Sequence, residues 1–357
     1  MNKTQSFPDR IQIADIAPGN EMSTLLLVGA ASLLQARNGP FWRLELKDAS
    51  GSIEARIWSP LSQQYTDIPS GSIVEVSGRT ESFRDHLQLN VTALRLLSPE
   101  EASAVDVSML LPSSKRPAQE MYDELLSLCK KVLTHKPWRK LVLGILQDET
   151  IRTRLMTAPA AKALHHSWVG GLLEHTLSVA SLCMLMCDHY PMLDRQTLLA
   201  GAVCHDLGKL WELSGGLDNS YTDEGQLIGH IVLGLEKLER PLARSGLEPE
   251  LAMHFKHLIL SHHGLLEYGS PKMPQTAEAL ALHHADDMDA KLAQVSTLFP
   301  DSDRDEPAWA PYQRSLDRPI YQAPRTPNTQ STKGTSKEPS DSTKKQEHQR
   351  LDQCSLL

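Results

Sequence analysis

The sequence predicts two domains of opposite class: a small closed β-barrel over residues 10–98 and an all-α domain over residues 118–300. A linker at 99–117 joins them, and a disordered tail at 301–357 follows. Three observations predict this. Short runs before residue 97 alternate apolar and polar residues with period two, separated by Gly, Pro, Asn and Asp turns. From Ala118 onwards apolar residues recur at three- and four-residue intervals. From Asp301 the chain is rich in Pro, Ser, Thr and Gln and poor in large aliphatics, too little apolar surface to offset ordering entropy.

The barrel strands come in order. Leu25-Leu26-Leu27-Val28 is an apolar run, and Arg37-Asn38-Gly39-Pro40 is a turn into Phe41–Lys47, which alternates large apolar and polar residues with period two. Asp48-Ala49-Ser50-Gly51 turns the chain into Ser52–Trp58, followed by Ser72–Arg79 and His86–Val91. This progression, with Asp-x-x-Gly ahead of Ser-Ile-Glu-Ala-Arg-Ile-Trp, resembles the OB-fold of the anticodon-binding type. The resemblance implies binding of single-stranded nucleic acid, with bases stacked on aromatics in a basic groove. Candidates are Phe41, Arg43, Arg56, Trp58, Phe83 and Arg84. Period two places Trp42 on the face opposite Phe41 and Arg43, and for each aromatic the competing reading is packing inside the barrel. OB-folds also mediate protein contacts, so that role stays open.

The linker, from Ser98-Pro99 to Arg116-Pro117, has no clear core period. Met121, Leu125, Leu128 and Val132 then share a helix face; Trp138–Leu146 is a second helix and a third ends near Met156. Helices are expected at 172–190, 196–207, 226–245, 249–263 and 275–298. At the end of the apolar stretch Leu198–Val203 stands Cys204-His205-Asp206-Leu207-Gly208-Lys209. Asp is almost never buried unpaired, because stripping water from a charge costs several kcal/mol, about as much as a buried ion pair must recover. A divalent cation would offset that cost, and His plus Asp suits Mn, Fe, Co or Zn.

Further ligands follow in order: His175 upstream, then His230, His262 with His263, and Asp286. A single histidine on an apolar helix is usually a packed or surface residue, but an ordered set is not. The pattern resembles the HD superfamily of metal-dependent phosphohydrolases, which places the last ligand at Asp286 among the neighbouring acids. On this reading His175, His205, Asp206 and Asp286 hold one cation, and His230, His262 and His263 hold a second that shares Asp206. Two such ions activate water and stabilise both oxygens of an in-line phosphoryl displacement. Asp289, three residues after Asp286, is placed to orient a ligand. Lys209, one helical turn after His205, reaches towards a bound phosphate, which makes His205, Asp206 and Lys209 the catalytic candidates. Lys162, His165 and His166 form a polar cluster suited to the substrate entrance, whereas His135, His189, His254 and His257 read as ordinary helix residues.

Longer motifs narrow the resemblance. Pro159–Lys162 with His165-His166, Gly170-Gly171-Leu172-Leu173-Glu174-His175-Thr176, His205–Lys209, Tyr221–Ile231, Leu260–Gly264 with Glu267–Pro271, and Asp286–Ala290 are similar to the YhaM family of 3′→5′ exoribonucleases. That family also sets an OB-fold ahead of an HD domain. The resemblance implies hydrolysis of single-stranded RNA from the 3′ end to nucleoside 5′-monophosphates, and single-stranded DNA is a substrate of some members. It implies divalent metal, two ions per site, with manganese first and iron, cobalt, magnesium or zinc as alternatives. Asp287-Met288 departs from the more neutral pair, such as Asn-Leu, expected there. Two rival readings stay open: an HD phosphohydrolase of a small nucleotide or cyclic dinucleotide, and a non-catalytic nucleic-acid-binding regulator.

Bulk properties bound the rest. A formal net charge of −8 over 357 residues argues against a generally basic nucleic-acid coat without excluding a basic groove. The sequence holds no apolar run of membrane-spanning length and opens without a signal-peptide core. The five cysteines show no disulfide or zinc-ribbon spacing, which fits the cytoplasm. A homo-oligomer is left open.

Overall fold

Residues 11–83, 86–106, 109–161, 168–215, 217, 219–299, 307–324 and 326 are described by the structure, a computed structural model. Strands β1 (Glu21–Ala36), β2 (Gly39–Asp48), β3 (Gly51–Ile57), β4 (Ile73–Phe83) and β5 (His86–Leu96) close into a barrel in the order β1-β2-β3-β5-β4. Neighbours are antiparallel except β3 and β5. β1 runs well beyond the four residues expected. Its first half pairs with β4 and its second with β2, with a bulge between Val28 and Ala30 where it passes from one to the other. One bent strand serving both partners closes a small barrel without an edge. Alternation puts Trp42, Leu44 and Leu46 inside against Ile53, Ala55 and Ile57. The Asp-x-x-Gly turn has a concrete cause. Buried Asp48 accepts through Oδ1 from the backbone N–H groups of Ser50 (2.7 Å) and Gly51 (3.1 Å), and through Oδ2 from that of Ile13 (2.8 Å).

The linker is partly ordered. Helix α1 (Pro99–Ser103) starts with a capping box between Ser98 and Glu101. Leu110 then packs with Leu25, Leu27 and Ile73 of the barrel, and half-buried Leu217 of the helical domain joins the same cluster.

The helical domain contains α2 (Ala118–Val132), α3 (Lys136–Leu146), α4 (Glu149–Leu155), α5 (Gly171–His189) and α6 (Arg195–Cys204). After these come α7 (Lys209–Glu212), α8 (Asp223–Ile228), α9 (His230–Ser245), α10 (Pro249–Ser261) and α11 (Ala277–Leu298). Two differences from the expected boundaries bear on the site. The helix expected at 196–207 ends at Cys204, and the single helix expected at 226–245 is broken at Gly229, where φ is +79° and ψ is +157°. Only glycine adopts that conformation without strain, so α9 starts afresh with His230 as its first residue. α6 is buried from Thr197 to Cys204, and α5, α10 and α11 pack around it. Trp138 and Phe255 meet edge to face in this core, ring centroids 5.5 Å apart.

Within the segment expected to be a disordered tail, β6 (Ala308–Gln313) and β7 (Arg318–Gln322) form an antiparallel hairpin. Its Trp309 and Tyr321 are cross-strand partners with ring centroids 4.9 Å apart. An aromatic pair opposite one another favours pairing locally even where average composition is polar. The rest of that expectation, at 301–306, 325 and 327–357, lies outside the described residues. Among the described residues no helix is long and apolar enough to cross a membrane.

Candidate metal centre

Because α6 is buried all round, the chain leaves it inside the protein, and His205 and Asp206 follow immediately in a turn. His175 comes from the second turn of α5, His230 from the first position of α9, His262 and His263 from the end of α10, and Asp286 from α11. These residues meet. His175, His205, Asp206 and Asp286 form one group of potential ligand atoms lying within 4.8 Å of one another, and Asp206, His230, His262 and His263 form a second.

The two oxygens of Asp206 face different groups. Oδ2 lies 3.4 Å from Nε2 of both His175 and His205, and Oδ1 lies 3.5 Å from Nε2 of both His230 and His262. In the first group Nε2 of His175 is also 3.2 Å from Nε2 of His205 and 3.1 Å from Asp286 Oδ1. Ligands about 2.1 Å from one cation stand about 3.0–3.4 Å from each other, depending on coordination geometry. The spacings match.

All five imidazoles are oriented the same way. His205 donates Nδ1–H to the carbonyl of Ala202 (2.8 Å), His262 to that of Ile259 (2.7 Å) and His263 to that of Tyr268 (2.8 Å). His175 Nδ1 meets Asp289 Oδ2 at 2.7 Å, and His230 Nδ1 meets Glu212 Oε1 at 3.1 Å. Using Nδ1 as donor turns the Nε2 lone pair inward, the tautomer a metal requires. Among the described residues Asp206 Oδ1, His230 Nε2 and His262 Nε2 are buried without a hydrogen-bond partner. Three orphaned acceptors converging at one point cost several kcal/mol unless a cation is there. The residues therefore fit a divalent metal.

Electrostatics agree. Burial pushes the Asp206 and Asp286 carboxyls up, but it is outweighed: Lys209, His205 and His175 hold Asp206 well below the usual range, and His175 and His205 do so for Asp286. Burial also lowers His262, and pushes His263 down to about 4, so both are neutral and able to bind metal at neutral pH. Burial alone would lower His175 too; Asp206, Asp286 and Asp289 overcome it and raise its proton affinity.

The cage opens into a cavity of about 460 Å³ lined by Lys209, Tyr221, His263, Tyr268, His283 and Asp287 among others. Lys209 is in this cavity but not free: its Nζ lies 2.6 Å from Asp206 Oδ2. The expected reach towards phosphate is thus shared with an ion pair to the bridging carboxylate. Asp289 sits against His175 and also accepts from Ser178. Sequence reasoning missed Glu212 and His283. Glu212 accepts from both the backbone N–H and Nδ1 of His230, and an acid in the otherwise apolar Leu210-Trp211-Glu212-Leu213 was the available signal. His283 donates to the carbonyl of His262 at 2.9 Å. Lys162, His165 and His166, expected at the entrance, lie outside the described residues.

On the barrel, Phe41, Arg43, Arg56 and Trp58 share the outer face, with Arg43 and Arg56 as cross-strand partners. Phe41 and Trp58 stack at 4.7 Å, and the Arg56 guanidinium lies 5.9 and 5.7 Å from their centroids. Arg56 also pairs with Glu54, and Trp58 Nε1 donates to Asn90 (3.1 Å). Trp42 is buried in the barrel core. Phe83 ends β4, but its side chain and all of Arg84 lie outside the described residues.

Helices converging on a paired His/Asp cage, behind a five-stranded barrel, define an HD-type metal phosphohydrolase domain joined to an OB-fold. The model of the HD domain matches residues 172–291, and that of the OB-fold nucleic acid binding domain matches residues 27–97. The 3′-5′ exoribonuclease YhaM of Bacillus subtilis is 36% identical over 275 residues, 77% of this chain and 86% of its own length. The protein of that name from Geobacillus is 32% identical over 307 residues, 85% of this chain and 93% of its own. A solved second OB-fold domain of replication protein A from Methanococcus maripaludis is 24% identical, covering 25% of this chain and 96% of its own, with a TM-score of 0.22. The chain belongs to the YhaM family.

Proposed function

We infer that this protein is a metal-dependent 3′→5′ exoribonuclease that shortens single-stranded RNA, with single-stranded DNA as a second substrate, releasing nucleoside 5′-monophosphates. The observation that carries this reading is the cage itself: five imidazoles whose Nδ1 atoms are all engaged and whose Nε2 atoms turn inward on Asp206 and Asp286. Strand polarity and RNA as substrate come from the names of the relatives.

In this reading His175, His205, Asp206 and Asp286 hold one cation, and His230, His262 and His263 hold the other, with Asp206 lending one oxygen to each. Manganese is the first choice, and nitrogen with carboxylate donors also suits iron, cobalt or zinc. When bound, such ions activate water and neutralise charge on the attacking and leaving oxygens. Asp289 and Glu212 fix the rings of His175 and His230, and Lys209 holds Asp206 while presenting its ammonium to the scissile phosphate. The cavity, at about 460 Å³, has room for a single terminal nucleotide, which suits release of monophosphates. Phe41, Arg43, Arg56 and Trp58, together with Phe83 and Arg84, hold the upstream strand. The free buried thiols Cys129, Cys183, Cys187 and Cys204 suit a cytoplasmic location.

Manganese-loaded protein incubated with single-stranded RNA labelled at its 5′ end should give a descending ladder and free nucleoside 5′-monophosphates. Intact RNA beside a hydrolysed cyclic dinucleotide would replace this reading with that of a small-nucleotide phosphodiesterase.

A further inference from the structure

The cavity brings charged and exposed aromatic residues together. Tyr221 and Tyr268 are exposed large apolar residues, as are Leu227, Leu265 and Leu266 close to them in the sequence. Scattered exposed apolar residues need no explanation, whereas a cluster bordering a polar site marks a surface built to be covered. Of these residues Tyr221 and Tyr268 also line the cavity itself, alongside Lys209, His263 and Asp286.

Tyr268 is the more telling. Its backbone is tightly held. Its N–H donates to Leu265 O at 3.1 Å, its carbonyl accepts from His263 Nδ1 at 2.8 Å, and buried Ser270 two residues on donates to the carbonyls of Leu260 and Lys272. Yet the residue is 59% exposed. A ring held out from a rigid support gains nothing from burial in the free protein, but loses little entropy when something lies against it. The ligand that matches a metal-binding cage and an exposed aromatic beside it carries phosphate on one side and a π-face on the other, which is a nucleotide.

We propose that the Tyr268 ring is the platform on which the 3′-terminal nucleobase stacks as its phosphodiester meets the metal cage, with Tyr221, held by its β-bridge to Leu213, forming another wall of the same cavity. This rests on the exonuclease reading and assigns that reaction a base-binding residue. Stacking is indifferent to base identity, because every base offers a π-face, so the subsite accepts any 3′ end that carries a base.

The test uses full-length manganese-loaded protein and two RNA strands of equal sequence, one ending in a normal nucleotide and the other in an abasic one. The wild type should favour the base-bearing end. Tyr268→Ala should lower kcat/KM on that end by about 5- to 100-fold, mostly through KM, and leave the abasic end unchanged. Tyr268→Phe should keep the wild-type preference. The hydrogen bond to His263 comes from the backbone and survives both substitutions, so metal content should not change. Equal loss on both ends, or undiminished preference in Tyr268→Ala, would overturn the proposal while leaving the exonuclease intact. Wild-type protein that leaves both strands uncut would overturn the exonuclease reading and this proposal with it.

Discussion

Gly208, between Asp206 and Lys209, is where the fold and the cage constrain each other most tightly. A Cβ placed there would stand 1.9 Å from the carbonyl oxygen of His230 and 2.7 Å from the backbone nitrogen of Gly234. Ordinary contact begins at 3.4 Å, so Gly208→Ala requires the start of α9 to withdraw by about 1.5 Å. The obstacle is backbone, with no flexible side chain to yield, and overpacking of this kind costs about 1–3 kcal/mol. His230 is the first residue of α9, its Nε2 now 3.5 Å from Asp206 Oδ1. Withdrawal stretches that separation to roughly 5 Å, beyond the span of two ligands on one cation at about 2.1 Å each. The variant should therefore bind one manganese ion tightly where the wild type binds two, and hydrolyse RNA at least about a hundredfold more slowly. Calorimetric titration of metal into the chelator-stripped protein measures this, with circular dichroism to establish that the helices persist. Gly144→Ala is the control, since nothing lies within 4 Å of its added Cβ. A Gly208→Ala protein that binds two ions with wild-type affinity would show that α9 does not position the second site.

Other expectations follow from the same geometry. Asp206→Ala removes the carboxylate common to both groups and should abolish hydrolysis while keeping the single-strand affinity of the chelated wild-type protein within about threefold, read by filter binding, because the barrel contacts, each about 1–3 kcal/mol per stacked base, remain. Asp289→Asn and Glu212→Gln each loosen one ring, and titration should show a metal affinity about 10- to 100-fold weaker at one site only. Phe41→Ala with Trp58→Ala should weaken RNA binding by about 1–3 kcal/mol for each stacked base lost, without changing metal content. Manganese at a hundredfold excess over its dissociation constant should stabilise the helical domain by about 2.7 kcal/mol for each ion bound. That should raise its melting temperature by roughly 5–10 °C per ion over the chelated protein in differential scanning calorimetry.

Much of this site could be read from the chain because its ligands are rare residue types in apolar surroundings. His175, His205, Asp206, His230, His262, His263 and Asp286 stand out as polar residues where helix faces should be apolar, and the structure brings all seven together. What orients them was less visible. Asp289 was legible by its spacing from Asp286 on one helix. The acceptors of His205, His262 and His263 are the carbonyls of Ala202, Ile259 and Tyr268, which every residue carries and no side-chain pattern marks. The break at Gly229 was hidden because apolar spacing continues across it, and a glycine inside a helical pattern does not announce a positive φ. Strand β1 was under-read because exposed residues interrupt its second half, where it leaves the core to pair with β2. The hairpin at 308–322 was lost to averaging, since one aromatic pair hardly changes the composition of a long polar segment.

Charge explains why metal and substrate belong together here. Asp206, Asp286, Asp289 and Glu212 bring four carboxylates to the cage and its immediate support, and Lys209 is the cation ion-paired among them. Asp287 at the cavity wall is offset by its own partner Lys291. Without metal this region is strongly negative and repels a phosphodiester, and little salt penetrates a buried site to screen it. The two divalent cations proposed here would turn that balance to about one positive charge, the complement of a single phosphodiester. Lys209, ion-paired with Asp206 at 2.6 Å, would then share its ammonium between that carboxylate and the phosphate oxygens. The barrel face sets Arg43 and Arg56 beside Phe41 and Trp58, with Arg56 also paired to Glu54. On the proposed function, binding of RNA to the whole protein would be the sum of a metal-independent hold on the barrel and a metal-gated hold in the cavity, and only the second would commit a phosphodiester to hydrolysis.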